Sequence, residues 1–383
     1  MDLICFCHLR WNFVFQRPQH LISRFAKSYR VFYIEEPIFS KDNDSYTIKI
    51  TEQNVLVVTL NLKEDSGDIN NRQRKLIDHL FKTQAINKYM FWYYSPMFLP
   101  ITRHLNPELT IYDCMDELSC FKFAPAEIKK LETELLKKAE IVFTGGHSLY
   151  EAKKHHHHNI YPFPSSIDKA HFAKARNSKI IDPFDQKNIP YPRIGFCGVI
   201  DERFDIELIR TVAQKKPDWQ IVLIGPVVKI DSLTLPVAAN IHYLGAKQYQ
   251  ELPSYIKGWQ LTMIPFAINE ATKYISPTKT PEYLAAGKPV ISTAIKDVVH
   301  PYGTNKLVHI IKQADDFIAI AEKQFTMKPQ DLNIWLHEVD VFLANNSWDK
   351  TWNDIHSLVK QTLASRSGKQ VSILPINYNI LSA

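Results

Sequence analysis

Residues 261–292 read LTMIPFAINEATKYISPTKTPEYLAAGKPVIS. The apolar run Leu261–Pro265 predicts a buried strand, and Pro281–Ala286 predicts a short helix that ends at Gly287. Residues Pro289–Ser292 predict a second strand. A strand, a crossover helix and a following strand make the unit from which parallel sheets are built. This stretch therefore predicts an α/β protein with a parallel sheet.

The same alternation of apolar runs and amphipathic stretches fills both halves of the chain. In the first half, strands are predicted at 3–8, 31–34, 55–60, 90–94, 109–112 and 141–143, and helices at 17–27, 72–81 and 126–139. In the second half, further strands are predicted at 194–198, 220–224 and 241–245, and helices at 205–213, 248–257, 314–325, 331–344 and 348–364. Such alternation indicates two successive doubly wound, Rossmann-like domains whose parallel sheets are covered by helices on both faces.

The domain boundary is predicted in a proline-rich stretch between Tyr161 and Pro192. We expect an N-terminal domain at 1–170, a linker at 171–192 and a C-terminal domain at 193–350. Residues 351–383 are expected to form a C-terminal helix and tail that pack back on the N-terminal domain. Ligands of such sheets bind beyond the carboxyl ends of the strands, so the site is expected in a central cleft that the two domains face.

Glycine is scarce, with 11 residues among 383, less than half of the roughly 7% that is average. Neither G-x-G-x-x-G nor G-x-x-x-x-G-K-[ST] occurs. Because those motifs cradle phosphates in dinucleotide-binding enzymes and P-loop ATPases, both classes are disfavoured. Any phosphate would have to be bound with less glycine than those motifs use.

The net charge of +6 comes from scattered basic residues without a long Lys/Arg run, so nucleic acid is not an expected partner. A mild positive excess suits anionic small ligands or an anionic membrane face. The start of the chain lacks the basic region of a signal peptide, and no apolar stretch reaches 18 residues. With five cysteines, an odd number, the sequence indicates a cytoplasmic protein with reduced thiols.

The polar loop before the predicted helix at 281–286 has the chemistry of an anion site. Ser276, Thr278 or Thr280 can cap the helix, its free N–H groups attract anions, and Lys279 adds a positive charge. Glu282 lies in the first turn, where a carboxylate can accept two hydroxyl hydrogen bonds, as a ribose would supply. An equally good interpretation is a capped helix in which Glu282 favours the helix dipole.

Four motifs occur in the order found in GT-B glycosyltransferases of family 4. The segment from Glu282 to Ile291 resembles their E-x-x-A-x-G-x-P-V-[IV] motif. The further matching segments are Ala139–Thr144 with Ser148, Pro164–Asp168 with His171-Phe172, and Ile194–Gly198. A closer resemblance is to bacterial glycosyltransferases for cell-surface polysaccharide, of the teichuronic-acid-biosynthesis type. It rests on Trp11 with Gln16–Leu21, Asp113-x-x-Asp116-Glu117, Asp201–Asp205 and Ile275–Lys279.

This resemblance implies a GT-B fold and transfer of a sugar from a nucleoside-diphosphate sugar, UDP- or GDP-linked, with retention of anomeric configuration. The C-terminal domain would bind the donor, and the N-terminal domain would bind a glycan or lipid-linked acceptor. No metal or other cofactor is expected. Peripheral contact with the inner face of the cell membrane is compatible with such an acceptor.

The resemblance also assigns the donor-side residues. Glu282 would bind the donor ribose, and Arg203 and Lys279 would bind the diphosphate and stabilise it as it departs. The family's second glutamate stands eight residues earlier, where this chain has Tyr274, so the nearest acid, Glu270, becomes the candidate for the donor sugar. The other expected donor-binding residues are Gly198, Gly225, Pro226, Ser276, Pro277 and Thr278. For Arg203, the alternative is a surface salt bridge within Asp201–Asp205.

The acceptor side is predicted in the first strand-to-helix turn, where Arg10, Trp11 and Arg17 could bind a phosphate or a sugar face. The alternative is that Trp11 packs in the core and Arg17 is an exposed helix start. Asp113 and Asp116 follow a strand and could orient an acceptor hydroxyl or act as a base; a metal role for this D-x-x-D pair is disfavoured. His147, after a Gly-Gly turn, could also touch substrate or simply belong to that turn.

Two other functions are compatible with this sequence. A sugar-nucleotide epimerase would share the architecture and release a free isomerised nucleotide sugar without any acceptor. A non-catalytic nucleotide-sugar or glycan-binding protein would bind its ligand without transfer or hydrolysis.

Overall fold

The computed structural model describes residues 1–64 and 67–366. The chain divides into two compact units. Among the described residues, unit 1 contains Met1–Ser119, Phe123–Pro164 and Trp348–Arg366, and unit 2 contains Cys120–Lys122 and Ser165–Ser347. The part of the predicted C-terminal tail at 367–383 lies outside the described residues.

Unit 1 is built on a parallel sheet with one antiparallel strand. Its strands are β1 (Asp2–Cys7), β2 (Arg30–Glu35), β3 (Ile38–Ser40), β4 (Ser45–Ile50), β5 (Val55–Lys63), β6 (Tyr89–Tyr93), β7 (Leu109–Cys114), β8 (Ile141–Thr144) and β9 (Ile160–Pro162). Its first five helices are α1 (Arg17–Phe25), α2 (Ile69–Thr83), α3 (Leu99–Thr102), α4 (Ile128–Lys138) and α5 (His147–Lys153). The strand order is β3-β5-β2-β1-β6-β7-β8-β9, and β4 pairs antiparallel with β5.

Unit 2 is built on an all-parallel sheet. Its strands are β10 (Arg193–Cys197), β11 (Gln220–Ile224), β12 (Ile241–Tyr243), β13 (Leu261–Ile264), β14 (Val290–Thr293) and β15 (His309–Ile311). Its helices are α6 (Lys169–Ala173), α7 (Ile206–Lys215), α8 (Leu252–Lys257), α9 (Lys279–Ala285), α10 (Lys296–Val298), α11 (Ala314–Phe325) and α12 (Pro329–Phe342). The last described helix, α13 (Trp348–Arg366), belongs to unit 1.

Both sheets reverse their strand order at one point, and this reversal positions the loops. In unit 2 the order is β12-β11-β10-β13-β14-β15, so the chain turns from one side of β10 to the other before β13. In unit 1 the same change lies between β1 and β6. Connections leave in opposite directions there, which opens a crevice outside the carboxyl ends of the strands. The predicted class of two doubly wound parallel-sheet domains is confirmed.

Residues 165–192 lie with unit 2, although the sequence placed them partly in the first domain and partly in a linker. Ile167, Phe172 and Ile189 are buried in the core of unit 2. Arg176 donates hydrogen bonds to Asp340 (2.8 Å) and to the carbonyl of Ala285 (2.7 Å). The proline-rich sequence therefore forms a segment that packs its apolar side in the core of unit 2 and is held by a partly exposed ion pair.

Helix α13 packs on unit 1. Trp348 is buried and stacks on His20 with ring centroids 4.6 Å apart, and Arg24 donates to Asp349 at 2.7 Å. His356 is buried on the same helix, 3.0 Å from the hydroxyl of Tyr29. Burial lowers the pKa of His356 to about 4, and the charge of Lys360 acts in the same direction.

We predict that His356 makes the protein acid-sensitive. In the unfolded chain the imidazole of His356 is protonated below about pH 6.5, whereas in the folded protein it is protonated only below about pH 4. The free energy of unfolding therefore falls as the pH is lowered through this range. His356→Gln should reduce the drop in Tm between about pH 7 and about pH 4.5. Thermal unfolding followed by circular dichroism measures it, with His337→Gln on the exposed side of α12 as the control. An equal drop in wild type and His356→Gln would contradict the prediction.

Candidate functional site

Two loops are joined at the point where the strand order of unit 2 reverses. The loop after β10 and the loop after β13 form an antiparallel bridge between Phe204 and Phe266. The N–H of Asp205 donates to the carbonyl of Pro265 (2.8 Å), and the N–H of Ala267 donates to the carbonyl of Arg203 (2.7 Å). These bonds hold Arg203 beside the carboxyl end of β13.

Arg203 is fixed by Asp201. Its Nε and Nη2 donate to the two carboxylate oxygens at 2.9 and 2.7 Å, and its backbone N–H donates to Oδ1 at 3.0 Å. The guanidinium also lies over the rings of Phe121 and Phe266, at 5.5 and 5.7 Å from their centroids. The local salt bridge that the sequence left open is therefore present, and it presents a preorganised, partly exposed guanidinium at the carboxyl edge of the sheet.

Gly225 brings a second loop against the first. Its φ is +145°, and a Cβ built there would lie 1.8 Å from the carbonyl oxygen of Gly198, so a larger residue does not fit. The N–H of Gly198 donates to Ile224 at 2.8 Å, and the N–H of Ile200 donates to the carbonyl of Pro226 at 3.0 Å. The two predicted glycines thus allow the loops after β10 and β11 to run side by side.

Helix α9 carries a buried ion pair between Lys279 and Glu282. The Nζ of Lys279 lies 2.6 Å from Oε2 of Glu282, and both side chains are largely buried. Burial opposes the charged form of Lys279, but the Glu282 carboxylate outweighs it and raises the pKa of Lys279. The two side chains assigned to phosphate and ribose are therefore in contact with each other.

The prediction that a side-chain hydroxyl caps this helix is wrong. The residue before α9, Thr278, is already in a helical conformation and makes no side-chain cap. The carbonyl of Ser276 instead accepts a hydrogen bond from Ser165 at 2.7 Å, and the Thr280 hydroxyl is buried without a hydrogen-bond partner in the described chain. Pro277 accepts the N–H of Thr280 at 3.2 Å, so backbone bonds start the helix.

Tyr283 anchors α9 to β10, a role that sequence reasoning missed. The N–H of Cys197, at the end of β10, donates to the Tyr283 hydroxyl at 2.7 Å, and the ring is fully buried. The only sequence signal for this role was an aromatic residue directly after Glu282. The neighbouring residues gave no indication of a hydrogen-bond partner 86 residues away. This contact holds Lys279 and Glu282 close to the start of the Arg203 loop.

Glu270 lies apart from the ion pair of α9. Its side chain is 74% exposed and its carboxylate is 3.6 Å from Nζ of Lys273. Within residues 1–64 and 67–366, no hydrogen bond or ion pair joins Glu270 to Lys279 or Glu282. The neighbouring Asn269 donates to the carbonyl of Glu202 at 3.2 Å, so this turn is tied to the Arg203 loop.

In unit 1 the predicted acceptor residues Arg17 and Asp113 pair with each other. Arg17 Nε lies 3.0 Å from Oδ1 of Asp113, and Arg17 Nη1 donates to the carbonyl of Phe163 at 2.7 Å. Asp113 is 0% exposed. Burial raises the pKa of Asp113 while Arg17 opposes the shift. We correct both expectations, because this buried pair joins β7 to α1 and has no surface with which to bind an acceptor.

Arg10 and Trp11 are held by Glu35, at the end of β2. The Glu35 carboxylate accepts the backbone N–H of Trp11 at 2.7 Å and an Arg10 N–H at 3.1 Å. The Trp11 ring is buried and packs edge-on against Tyr33, with centroids 5.0 Å apart. Trp11 therefore packs in the core, which was the alternative considered for it. The expectation that it stacks on a sugar is wrong. Glu35 was missed, although its place at a strand end was a usable signal.

Asp116 and His147 lie in the loops after β7 and β8. These loops approach so closely that a Cβ on Gly145 would lie 2.1 Å from the carbonyl oxygen of Met115. His147 starts α5, and its Nε2 is buried without a hydrogen-bond partner among the described residues. Asp116 is partly buried. Both predicted residues therefore lie at the carboxyl edge of the unit 1 sheet, where the charge of Asp116 also acts on the buried Arg17.

A buried ionic network fixes the loop that carries Asp116, and sequence reasoning missed it. Lys153 is buried between two carboxylates, Glu117 and Glu132, with both distances 2.7 Å. The hydroxyl of Tyr112 donates to Glu132 at 2.8 Å, and that of Ser119 donates to Glu117 at 2.7 Å. Although burial opposes both charged forms, Glu132 and Glu117 raise the pKa of Lys153, and Lys153 lowers that of Glu117. The loop after β7 is thus tied to α4 and α5.

The described residues contain no group of three or more His, Cys, Asp or Glu side chains arranged to bind a metal ion. No described helix has both the length and the apolar character that a membrane span requires.

We predict a strong coupling between Lys279 and Glu282. Glu282→Gln leaves a buried ammonium without its carboxylate and should lower the free energy of unfolding by about 3 kcal/mol. Because Lys279→Met removes that ammonium, the double variant should cost less than the sum of the single variants. Denaturant unfolding of all four proteins measures the cycle.

The partly exposed pair Lys350–Asp354, also 2.6 Å long, provides the control for this cycle. Lys350→Met should change stability by less than about 1 kcal/mol, because exposed pairs contribute little. Strict additivity of the Lys279 and Glu282 substitutions would contradict the predicted coupling.

Part of unit 2 matches a model of a known protein family. Residues 191–326 match the family model described as glycosyl transferases group 1. A curated relative, the putative teichuronic acid biosynthesis glycosyltransferase TuaH of Bacillus subtilis (strain 168), is 24% identical over 274 residues. That match covers 65% of this chain and 66% of the relative, just under two thirds of its length.

Several solved structures resemble this protein over nearly the whole length of the chain. Sucrose-phosphate synthase from Thermosynechococcus elongatus superposes with a TM-score of 0.69 at 13% identity, covering 95% of this chain and 100% of that one. Anabaena Alr3699/HepE in complex with UDP and glucose gives 0.66 at 10% identity, covering 94% and 99%. A protein described as trehalose-6-phosphate from E. coli, bound with UDP-2-fluoro glucose, gives 0.65 at 10% identity, again covering 94% and 99%.

At these identities the structural matches establish the fold alone. They agree with the two parallel-sheet units and with the family match on β10–β15. The chain therefore has the GT-B fold, and residues 191–326 of its second unit match the glycosyl transferases group 1 model.

Proposed function

We propose that this protein is a glycosyltransferase that moves a sugar from a nucleoside-diphosphate sugar to a glycan or lipid-linked acceptor in cell-surface polysaccharide synthesis. One observation carries the proposal. The group 1 match at 191–326 falls on the sheet whose carboxyl edge holds Arg203, Lys279 and Glu282. The teichuronic-acid-type relative supports the polysaccharide role.

Arg203 is proposed to stabilise the departing diphosphate. Asp201 occupies Nε and Nη2 and so sets the orientation of the guanidinium before substrate binds. Charge that develops on the leaving group is best stabilised by donors that need no reorganisation during the reaction. Exposure of part of the Arg203 side chain leaves room for a phosphate oxygen.

Glu282 and Lys279 are proposed to bind the donor's ribose and diphosphate. Lys279 occupies Oε2 of Glu282, while Oε1 has no hydrogen bond within the described chain. A ribose hydroxyl can donate to Oε1 with the ion pair intact, and a phosphate can approach the ammonium from its other side. Binding therefore need not break the buried pair, which would be costly.

The nucleotide is proposed to be UDP or GDP. Two structural neighbours are described with UDP or UDP-2-fluoro glucose, so UDP-sugars are the first donors to test. The other proposed donor-binding residues lie in two places. Those in the loops beside Arg203 are Gly198, Gly225 and Pro226, and those just before the Lys279–Glu282 pair are Ser276, Pro277 and Thr278. Glu270 enters the proposal as a sugar contact only through its place in the turn tied to the Arg203 loop.

On the acceptor side, the proposal rests on Asp116 and His147. Their loops lie at the carboxyl edge of unit 1, and the Lys153 network and the close approach at Gly145 hold them in place. Retention of configuration, absence of a required metal and peripheral contact with a membrane belong to the same proposal. The proposal assigns the chemistry to stabilisation of the departing diphosphate and gives none of these residues the role of a nucleophile.

The experiment that tests the function starts with nucleotide binding. UDP- and GDP-sugars should raise the Tm, because a ligand of the folded state shifts the unfolding equilibrium. Each stabilising donor is then incubated with candidate glycan and lipid-linked acceptors, and the products are analysed by mass spectrometry and by NMR of the new anomeric centre. Transfer with retention is the expected result.

Three other results would contradict transfer. A free isomerised nucleotide sugar formed without acceptor would identify an epimerase. Binding without transfer or hydrolysis across the acceptor panel would identify a binding protein. Failure of every nucleotide and nucleotide sugar to bind would remove the proposal at its first step.

Arg203→Ala should lower kcat by about 10²-fold or more, the loss typical of removing one preorganised donor from an oxyanion site. Arg203→Lys should also be impaired, because an ammonium cannot replace the bidentate contact with Asp201. Arg210→Ala, an arginine of α7 paired with Glu207, is the control and should keep wild-type turnover. Unchanged turnover in Arg203→Ala with a native Tm would exclude the assigned role.

A further inference from the structure

The two cations assigned to the diphosphate are each neutralised by a carboxylate. Arg203 is 2.7 Å from Asp201, and Lys279 is 2.6 Å from Glu282. Each pair has a formal charge of zero, and Asp201 and Glu282 are buried. A nucleoside diphosphate carries at least two negative charges, so these pairs offer hydrogen bonds and orientation but little net attraction. A further cation at this edge would supply it.

Lys229 lies in the loop that follows β11, directly beside the Arg203 loop. The N–H of Val228 donates to the carbonyl of Ile200 at 3.0 Å, and Ile200 and Val227 form a parallel bridge. The two loops thus continue the pairing of β10 and β11 beyond the sheet. Lys229 Nζ is 5.4 Å from the ring centroid of Phe121, the same ring that lies 5.5 Å from the guanidinium of Arg203.

Lys229 differs from Arg203 and Lys279 in making no ion pair among the described residues. Within the described chain Lys229 has no ion-pair partner, and its contact is with the Phe121 ring. The acids of the adjoining loops have other partners: Glu202 accepts from the backbone N–H of Lys122 at 3.1 Å, and Asp231 accepts from that of Leu233 at 2.9 Å. Both keep their negative charge, but neither forms an ion pair with Lys229. An exposed ammonium therefore stands at the same edge as the two neutral pairs.

The backbone at Lys229 is also unusual, with φ of +60°. A residue with a Cβ is sterically disfavoured in this left-handed region, which glycine adopts without that penalty. At Lys229 the left-handed turn ends the paired part of the loop and places the side chain over Phe121.

We propose that Lys229 binds the phosphates of the nucleoside-diphosphate donor and provides a cation that, unlike Arg203 and Lys279, is not paired with a carboxylate. Phe121 holds the ammonium beside Arg203 by a cation–π contact, so both reach one ligand. This inference deepens the proposed function and rests on it, because it names a further residue of the same donor site.

Lys229→Gly tests the inference without adding strain, since glycine adopts the left-handed conformation freely. Lys306→Gly is the matched control: Lys306 is exposed, has φ of +58° and lies just before β15, on the opposite edge of the sheet. Calorimetric titration with UDP, GDP, uridine and guanosine is run on both variants and on wild type. Each variant should keep or raise the wild-type Tm.

We expect Lys229→Gly to lose about tenfold in affinity for the nucleoside diphosphate and to keep its affinity for the nucleoside, because only the phosphates meet the ammonium. The salt dependence of diphosphate affinity should also become shallower, since one exposed charge is gone. Lys306→Gly should match wild type in both respects.

The outcomes separate this inference from the proposed function. If wild type binds neither UDP nor GDP, the UDP- or GDP-sugar donor of the proposed function fails, and the donor site to which Lys229 is assigned fails with it. If wild type and Lys229→Gly bind the diphosphate equally, the Lys229 assignment fails while the function stands. If Lys229→Gly loses stability, Lys229→Gln gives the same comparison with the side chain's bulk retained, and equal diphosphate affinity there also overturns the assignment.

Discussion

The hydrogen bonds between the Arg203 loop and the loop after β13 are the constraint on which the rest of the site depends. Arg203 and Asp205 are joined through backbone atoms to Ala267 and Pro265, at the place where the strand order of unit 2 reverses. Because the connections diverge there, the loops would otherwise separate. The bridge holds them together, and Gly225 lets the loop after β11 close against Gly198.

Charge at this edge is organised in pairs. Buried Asp201 and Glu282 each hold a cation in a defined position, which costs free energy unless the geometry is good. The benefit is orientation: a guanidinium and an ammonium are fixed before a ligand arrives. The same device recurs in unit 1, where Glu35 holds Arg10 and two glutamates hold Lys153. In this protein, acids near the sheet edges position cations and loops.

Much of the fold was predictable because its signals are local. The apolar run at β10, the helix at α11 and the stop at Gly287 follow from periodicity and from the turn preferences of glycine. Short elements such as β9 and α6 were missed, since a proline-rich stretch of a few residues has no period to detect. The same limit explains why residues 171–192 were taken for a linker, although Phe172 and Arg176 bind this segment to unit 2.

By itself, the sequence determined the alternation of strands and helices, the parallel class of both sheets and the motif around Glu282, because each depends on residues close together in the chain. The tertiary structure decided which polar groups meet. Asp113 and Arg17 are 96 residues apart in sequence and form one buried pair, while Lys229 and Arg203 share Phe121 from a third segment. A charged residue has the same appearance in a sequence whether its partner is a ligand or a distant carboxylate. Its role follows from burial and from the groups within hydrogen-bonding distance, which only the folded chain sets.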